Sequence, residues 1–267
     1  MKNGKHIYEP FQNNHMQKLK LMTHAVIGYP TLAKTRELIK VMAASDVDYI
    51  ELQIPFSDPL GDGPVIRRAN TVALQQKTRV EDAFILVTQL RTEDKIATPF
   101  FFMTYFNIIF SYDPEKFCAR AASCGVQGLI VPDYNPDLDT REKLQSTAKK
   151  FGLILVSFLG PNSSPKKIND CAKNAEGFIY CFANQGITGT KNTALESARH
   201  YLLKIKKHVA IPLAVGFGIS TVEDIRALQG AADIVIIGSE LIRVFDKSGI
   251  EGVKIKLTEL ISALEFE

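Results

Sequence analysis

Short apolar runs alternate with amphipathic stretches along nearly the whole chain. Apolar runs at 25–28, 49–53, 99–104, 128–131, 153–157, 178–181, 213–216 and 234–237 predict eight strands. Most are continuously apolar rather than alternating, the pattern of parallel strands buried on both faces. Between them, amphipathic segments predict helices over 32–44, 80–92, 114–124, 138–150, 164–174, 193–207 and 221–228, with a last one over 250–264. Asp113-Pro114 reads as an N-cap followed by a first-turn proline, and Ser220-Thr221-Val222-Glu223 as a capping box. Residues 8–21 predict an extra helix before the first strand.

Eight β/α units predict an α/β fold, a single (β/α)8 barrel domain over 1–267 with that extra N-terminal helix. The alternative, an open doubly wound sheet, lacks a G-x-G-x-x-G after its first strand. No linker or low-complexity stretch divides the chain.

Composition narrows the class. The chain has 267 residues, 46% of them hydrophobic and 23% charged, which supplies a large core and excludes a disordered or fibrous protein. The net charge of +3 comes from scattered lysines. The densest cluster, Lys204, Lys206, Lys207 and His208, suits a helix C-terminus, so nucleic acid is not expected as a partner. The first twenty residues lack the apolar core of a signal peptide, and the longest apolar stretch, 99–110, is shorter than the roughly 18 residues of a membrane span. A cytoplasmic protein without membrane contact is expected. Cys118, Cys124, Cys171 and Cys181 form no C-x-x-C, and no metal site is expected from them.

In a barrel, chemistry belongs at the C-terminal strand ends. Glu51 interrupts the apolar run Tyr49-Ile50-Glu51-Leu52 and points either into the barrel mouth or outward. A carboxyl buried there needs a partner or a raised pKa, and the latter suits a general acid/base. The loop that follows is rich in Pro, Gly and Asp, which fits a turn-rich connection equally well. Gln185–Thr190 offers hydroxyls and backbone N–H groups to an anion, or is a flexible connection. Gly216-Phe217-Gly218 and Gly238-Ser239 end consecutive strands, an arrangement that suits a phosphate.

Six segments carry a resemblance: IELQIPFSDPLGDGPVI (50–66), MTYFNIIF (103–110), GLIVPD (128–133), GFIYCFANQGITGT (177–190), AVGFGIS (214–220) and IIGSELI (236–242). In order and spacing they resemble the tryptophan synthase alpha chain family. The resemblance implies a (β/α)8 barrel that cleaves indole-3-glycerol phosphate to indole and glyceraldehyde 3-phosphate. It implies no metal or organic cofactor in this chain. It also implies a beta-chain partner that carries pyridoxal phosphate, in an alpha2beta2 assembly. Glu51 matches the family's catalytic glutamate and Asp62 its second acid. Tyr180 matches a tyrosine that supports them. Tyr105 matches a residue near the glutamate, and Met103 and Ile130 line the indole pocket. Gly189, Gly218, Gly238 and Ser239 match phosphate contacts, with Phe217 beside them, and Thr188 matches a lid threonine.

The chain departs from the family pattern at several places. His24 stands where an apolar, aromatic residue of the indole pocket is usual, and reads as a first-strand histidine with a hydrogen-bonded tip ahead of a catalytic role. Gln53 and Gly61 replace the usual glycine and alanine. Asp133-Tyr134-Asn135 replaces D-L-P, and Asn184 stands where arginine is common. Val26-Ile27-Gly28-Tyr29-Pro30 replaces the stretch that commonly reads T-A-G-D-P. These changes touch the pocket wall and the partner-facing loops more than the acid pair. They motivate an alternative, a catalytically weak chain that acts mainly as an allosteric activator of the beta chain.

Overall fold

The computed structural model describes residues 18–59, 61–135, 143–182, 191–216 and 218–265, with nothing said of side chains 191–193. The elements run β1 (Lys20–Val26), α1 (Leu32–Ala44), β2 (Tyr49–Gln53), α2 (Pro64–Gln75), α3 (Val80–Thr92), β3 (Phe100–Met103), α4 (Phe106–Tyr112), α5 (Pro114–Ser123) and β4 (Gly128–Ile130). They continue α6 (Leu144–Lys150), β5 (Ile154–Leu155), β6 (Ser157–Leu159), α7 (Pro165–Asn174), β7 (Ile179–Cys181), α8 (Lys191–Lys206), β8 (Leu213–Val215), α9 (Val222–Leu228), β9 (Ile234–Ile237) and α10 (Ser239–Ile261).

The hydrogen-bonded strand order is β5-β4-β3-β2-β1-β9-β8-β7-β6. The registered pairs β1·β2, β2·β3, β3·β4, β4·β5, β6·β7, β7·β8 and β8·β9 are all parallel. Only Val156 separates β5 from β6 in the chain, so the nine strands count as eight β/α positions along the sequence. That is the eight-position order of a (β/α)8 barrel, the fold class expected.

Two compact units divide the chain, each taken over its described residues: Met22–Leu155 with Ile237–Thr258, and Met1–Leu21 with Val156–Ile236 and Glu259–Glu267. In the first, all five residues of β2 are buried. Behind β3, Phe84 meets Phe102, Tyr112 and Phe117 edge-on, with centroids 5.7, 5.5 and 5.4 Å apart. A second cluster joins Val26 and Tyr29 to Ala69, Ala73 and Ile242. In the other unit, the buried Leu213, Ala214 and Val215 of β8 lie beside β7.

Helix starts follow local chemistry. Asp113 accepts from Lys116 N at 3.0 Å and opens α5 ahead of Pro114, as expected. The α9 capping box is displaced by one residue from the expectation: Thr221 is the N-cap and Asp224, not Glu223, reaches back to it. Only Asp224 occupies the third helical position, from which a side chain reaches the cap N–H.

Several boundaries differ. The expected first strand at 25–28 lies earlier, at Lys20–Val26, and the expected N-terminal helix loses its last residues to that strand. The rest of that helix, up to residue 17, lies outside the described residues, as does 138–142 of the expected helix 138–150. Helices α2 and α4 were not expected. The final helix starts at Ser239, and its two halves meet at the non-helical Gly249. Cys118, Cys124, Cys171 and Cys181 are all free thiols. Among the described residues no helix is long and apolar enough to cross a membrane.

Candidate active site

Parallel register sets two side chains next to each other. His24 of β1 pairs with Glu51 of β2, and in-register neighbours share a face of the sheet. His24 Nδ1 lies 3.2 Å from Glu51 Oε2, with both side chains almost wholly buried (5% and 4% exposed). Two residues on, Gln53 closes β2 and is fully buried. Its Nε2 donates to Asp62 Oδ2 at 2.6 Å. Tyr105, the N-cap of α4, donates to the same oxygen at 3.4 Å and accepts from Gly61 N at 3.3 Å. Phe56 stacks on the Tyr105 ring, centroids 5.0 Å apart, and keeps it over the loop. The Phe56 N–H is fixed by Asn70 Oδ1 of α2 at 2.9 Å.

Of the residues expected from the sequence, Glu51 is therefore met by His24, and Asp62 by Gln53 and Tyr105. Met103 of β3 pairs with Gln53 on one side and with Ile130 of β4 on the other, so the two expected pocket residues are strand neighbours. Both are buried.

The electrostatics follow from burial. Burial favours neutral imidazole at His24, but the Glu51 charge and hydrogen bond, the Asp62 charge and the Gln53 amide outweigh it. They hold the His24 pKa above its ordinary value. Burial also holds the Asp62 carboxyl above the usual carboxylate range. Gln53 and the His24 charge pull it back, Glu51 pushes it up, and Tyr105 draws it down. The Tyr105 hydroxyl is raised by burial first and by Asp62 second. His24 Nε2 and Gln53 Oε1 are buried and form no hydrogen bond of good geometry. The Gln53 amide nonetheless lies close enough to favour the imidazolium.

Gly238 follows β9 and packs against His24. A Cβ at 238 would stand 3.1 Å from His24 Cβ and 3.2 Å from Cγ, so a side chain there would press on the imidazole. Ser239 opens α10, whose first-turn N–H groups lack intrahelical partners. In the loop after β4, Asp133 Oδ1 accepts from Phe106 N at 2.8 Å. Tyr134 packs on the Phe106 ring, centroids 5.4 Å apart.

The remaining expected residues belong to the other unit or lie outside the description. Tyr180 of β7 stacks on Phe158 of β6 at 5.3 Å. Gly218 has φ +58° and open space where a Cβ would stand. Phe217, Thr188, Gly189 and Asn184 lie outside the described residues. Among the described residues, no three His, Cys, Asp or Glu side chains are grouped to hold a metal ion.

The sequence marks His24, at a pocket position, and Gln53 as departures but names the partner of neither. The available signal was a polar residue inside each of two adjoining apolar strands. Their pairing depends on register, which the sequence alone does not state.

The family described as Tryptophan synthase alpha chain matches residues 11–265. The tryptophan synthase alpha chain of Desulfotalea psychrophila is 42% identical over 233 residues, covering 87% of this chain and 90% of that protein. A solved structure from Aquifex aeolicus superimposes with a TM-score of 0.85 at 31% identity, covering 94% of this chain and 95% of that one. A chain in a tryptophan synthase structure from M. tuberculosis superimposes with a TM-score of 0.84 at 25% identity, with 94% of each chain covered. With its acid pair on β2 and the following loop, and with this likeness along nearly its full length, the chain belongs to the tryptophan synthase alpha chain family.

Proposed function

We propose that Glu51 and Asp62 carry the family's reaction in this chain, the retro-aldol cleavage of indole-3-glycerol phosphate to indole and glyceraldehyde 3-phosphate. The single observation that carries this reading is that each carboxyl is met by its own buried polar strand residue, Glu51 by His24 and Asp62 by Gln53. The reaction moves protons and no net charge. Indole C3 gains a proton, the glycerol hydroxyl loses one, and the C3–glycerol bond breaks with its electrons returning to the ring. Glu51 gives the first proton and takes the second. Asp62, as the carboxylate, faces the ring N–H and stabilises the positive indolenine. These transfers need only carboxyl groups, so the reading assigns this chain no metal or organic cofactor.

Gly238 and Ser239 are proposed to bind the substrate phosphate through the free N–H groups at the start of α10. Met103 and Ile130 are proposed as apolar wall for the indole ring. The same reading gives the chain a cytoplasmic setting and a pyridoxal-phosphate beta chain as partner, in an alpha2beta2 assembly that receives the indole.

The experiment is indole release by the purified chain, alone and with the beta chain of the same source. Glu51→Gln is expected to lose about 100-fold or more in kcat. Turnover at the parental rate would sink the assignment. The second reading, a weak enzyme that mainly activates the beta chain, draws on the internal hydrogen bonds that already occupy both carboxyls. It predicts normal stimulation of the beta reaction by a chain that releases no indole.

A further inference from the structure

His24 is the residue whose surroundings exceed what the family reading explains. It lies in register with Glu51, is buried to the same degree, and has its Nδ1 3.2 Å from Glu51 Oε2. A carboxylate at this depth is costly unless a donor or a charge meets it. His24 supplies both in one group. Gln53 performs the matching task for Asp62, with Nε2 at 2.6 Å. Gly238 lies beside His24, where an added Cβ would stand 3.1 to 3.3 Å from three of its side-chain atoms.

We propose that His24 is a positioning residue for the lyase reaction: it fixes the Glu51 carboxyl and keeps a proton beside it, while Gln53 fixes Asp62. This rests on the assignment of Glu51 as the acid/base. In this role His24 acts through Glu51 and not on the reacting atoms. One proton is shared by the pair. Nδ1 gives it to Glu51, Glu51 hands it on to indole C3, and the proton that Glu51 then takes from the glycerol hydroxyl returns to Nδ1. No electrons are exchanged and the pair ends as it began. The titratable groups facing His24 are Glu51 from β2 and Asp62 from the following loop, with Tyr105 against Asp62. The surrounding charge favours the imidazolium, in keeping with the stored proton.

The test is the pH dependence of kcat and KM for indole release by the full chain with its beta partner, for the parent, His24→Phe and His24→Asn. The Asn amide nitrogen overlays Nδ1, donates to Glu51 and does not titrate. His24→Phe is expected to lose about tenfold or more in kcat with KM nearly unchanged. His24→Asn is expected to recover part of that loss without the parental pH profile. Parental kcat and pH profile in His24→Phe would overturn the proposal. Should His24→Phe fail to fold, a parental pH profile in His24→Asn overturns it equally. Nitrogen NMR of the His24 ring supplies a readout free of turnover. Its titration is expected at lower pH in Glu51→Gln than in the parent, and an unchanged titration counts against the pair. Glu51→Gln with full turnover would instead remove the Glu51 assignment itself, a result distinct from these.

Discussion

Gln53 Nε2 donates to Asp62 Oδ2 at 2.6 Å, the shorter of the two side-chain hydrogen bonds described for that carboxyl. The bond opposes the effect of burial on Asp62 and favours its ionised form. Gln53→Gly leaves the Tyr105 hydroxyl at 3.4 Å as the described donor. The Asp62 pKa then rises further, and the carboxylate is lost at a higher pH. The acid limb of the kcat/KM profile for indole release is expected to move to higher pH, with activity at neutral pH less affected. A limb that stays in place would show that Asp62 is not the group titrating there.

Burial also gives Asp62 a stability signature. Its pKa is raised in the folded chain above the ordinary carboxylate value of 3.8. The folded state therefore binds this proton more tightly than the unfolded state does. Ionising Asp62 costs stability as pH rises from the unfolded pKa through the folded one, and the cost is fully present above both. Asp62→Asn removes that cost and keeps an acceptor for Gln53. The variant is expected to melt higher than the parent at pH 7, with the difference shrinking as pH falls toward the unfolded pKa. Melting temperatures at the two pH values check the sign, and a difference that grows on acidification would reverse it.

In the other unit, Gly216 leaves room for Tyr180. A Cβ at 216 would stand 2.4 Å from the tyrosine hydroxyl and 3.2 Å from Cζ. The ring is held by Phe158 behind it and has little freedom to retreat. Gly216→Ala is expected to cost about 1–3 kcal/mol of stability by overpacking, measured by urea unfolding. Adding Tyr180→Phe removes the clashing oxygen, so the double variant is expected to be more stable than the sum of the single losses. Simple additivity would place the strain elsewhere.

The periodicity read most clearly where it was longest. Helices α1 and α3 and strands β2 and β9 begin and end where the apolar pattern says. Helix α2 was hidden by its own start, because Pro64 as first helical residue follows a loop whose Pro and Gly residues read as turn. Helix α4 vanished into the apolar run 99–110, and it ends where Asp113 takes φ +80°. Strand 153–157 runs on to Leu159 but breaks at Val156. Glu51, Asp62 and Tyr105 were legible as motif residues. The link between the acids was not, because a one-residue change of register would turn His24 away from Glu51. Its hydrogen-bonded tip was legible, but its partner was not.

The contact of Gly238 with the His24 imidazole gives this site a particular inheritance. With His24 in place, a larger residue at 238 is crowded out. Exchanging His24 alone takes the donor from Glu51, and exchanging Gln53 alone takes the nearest donor from Asp62. Positions 24, 51 and 238 are thus tied through the imidazole, and 53 and 62 through one amide bond. A designer who exchanges His24 alone takes that donor from the buried Glu51 carboxyl, whereas exchanging Gln53 alone leaves Asp62 the Tyr105 hydroxyl. Grafted into a related barrel, His24 without Gln53 and the glycine would be a misfit rather than an innovation.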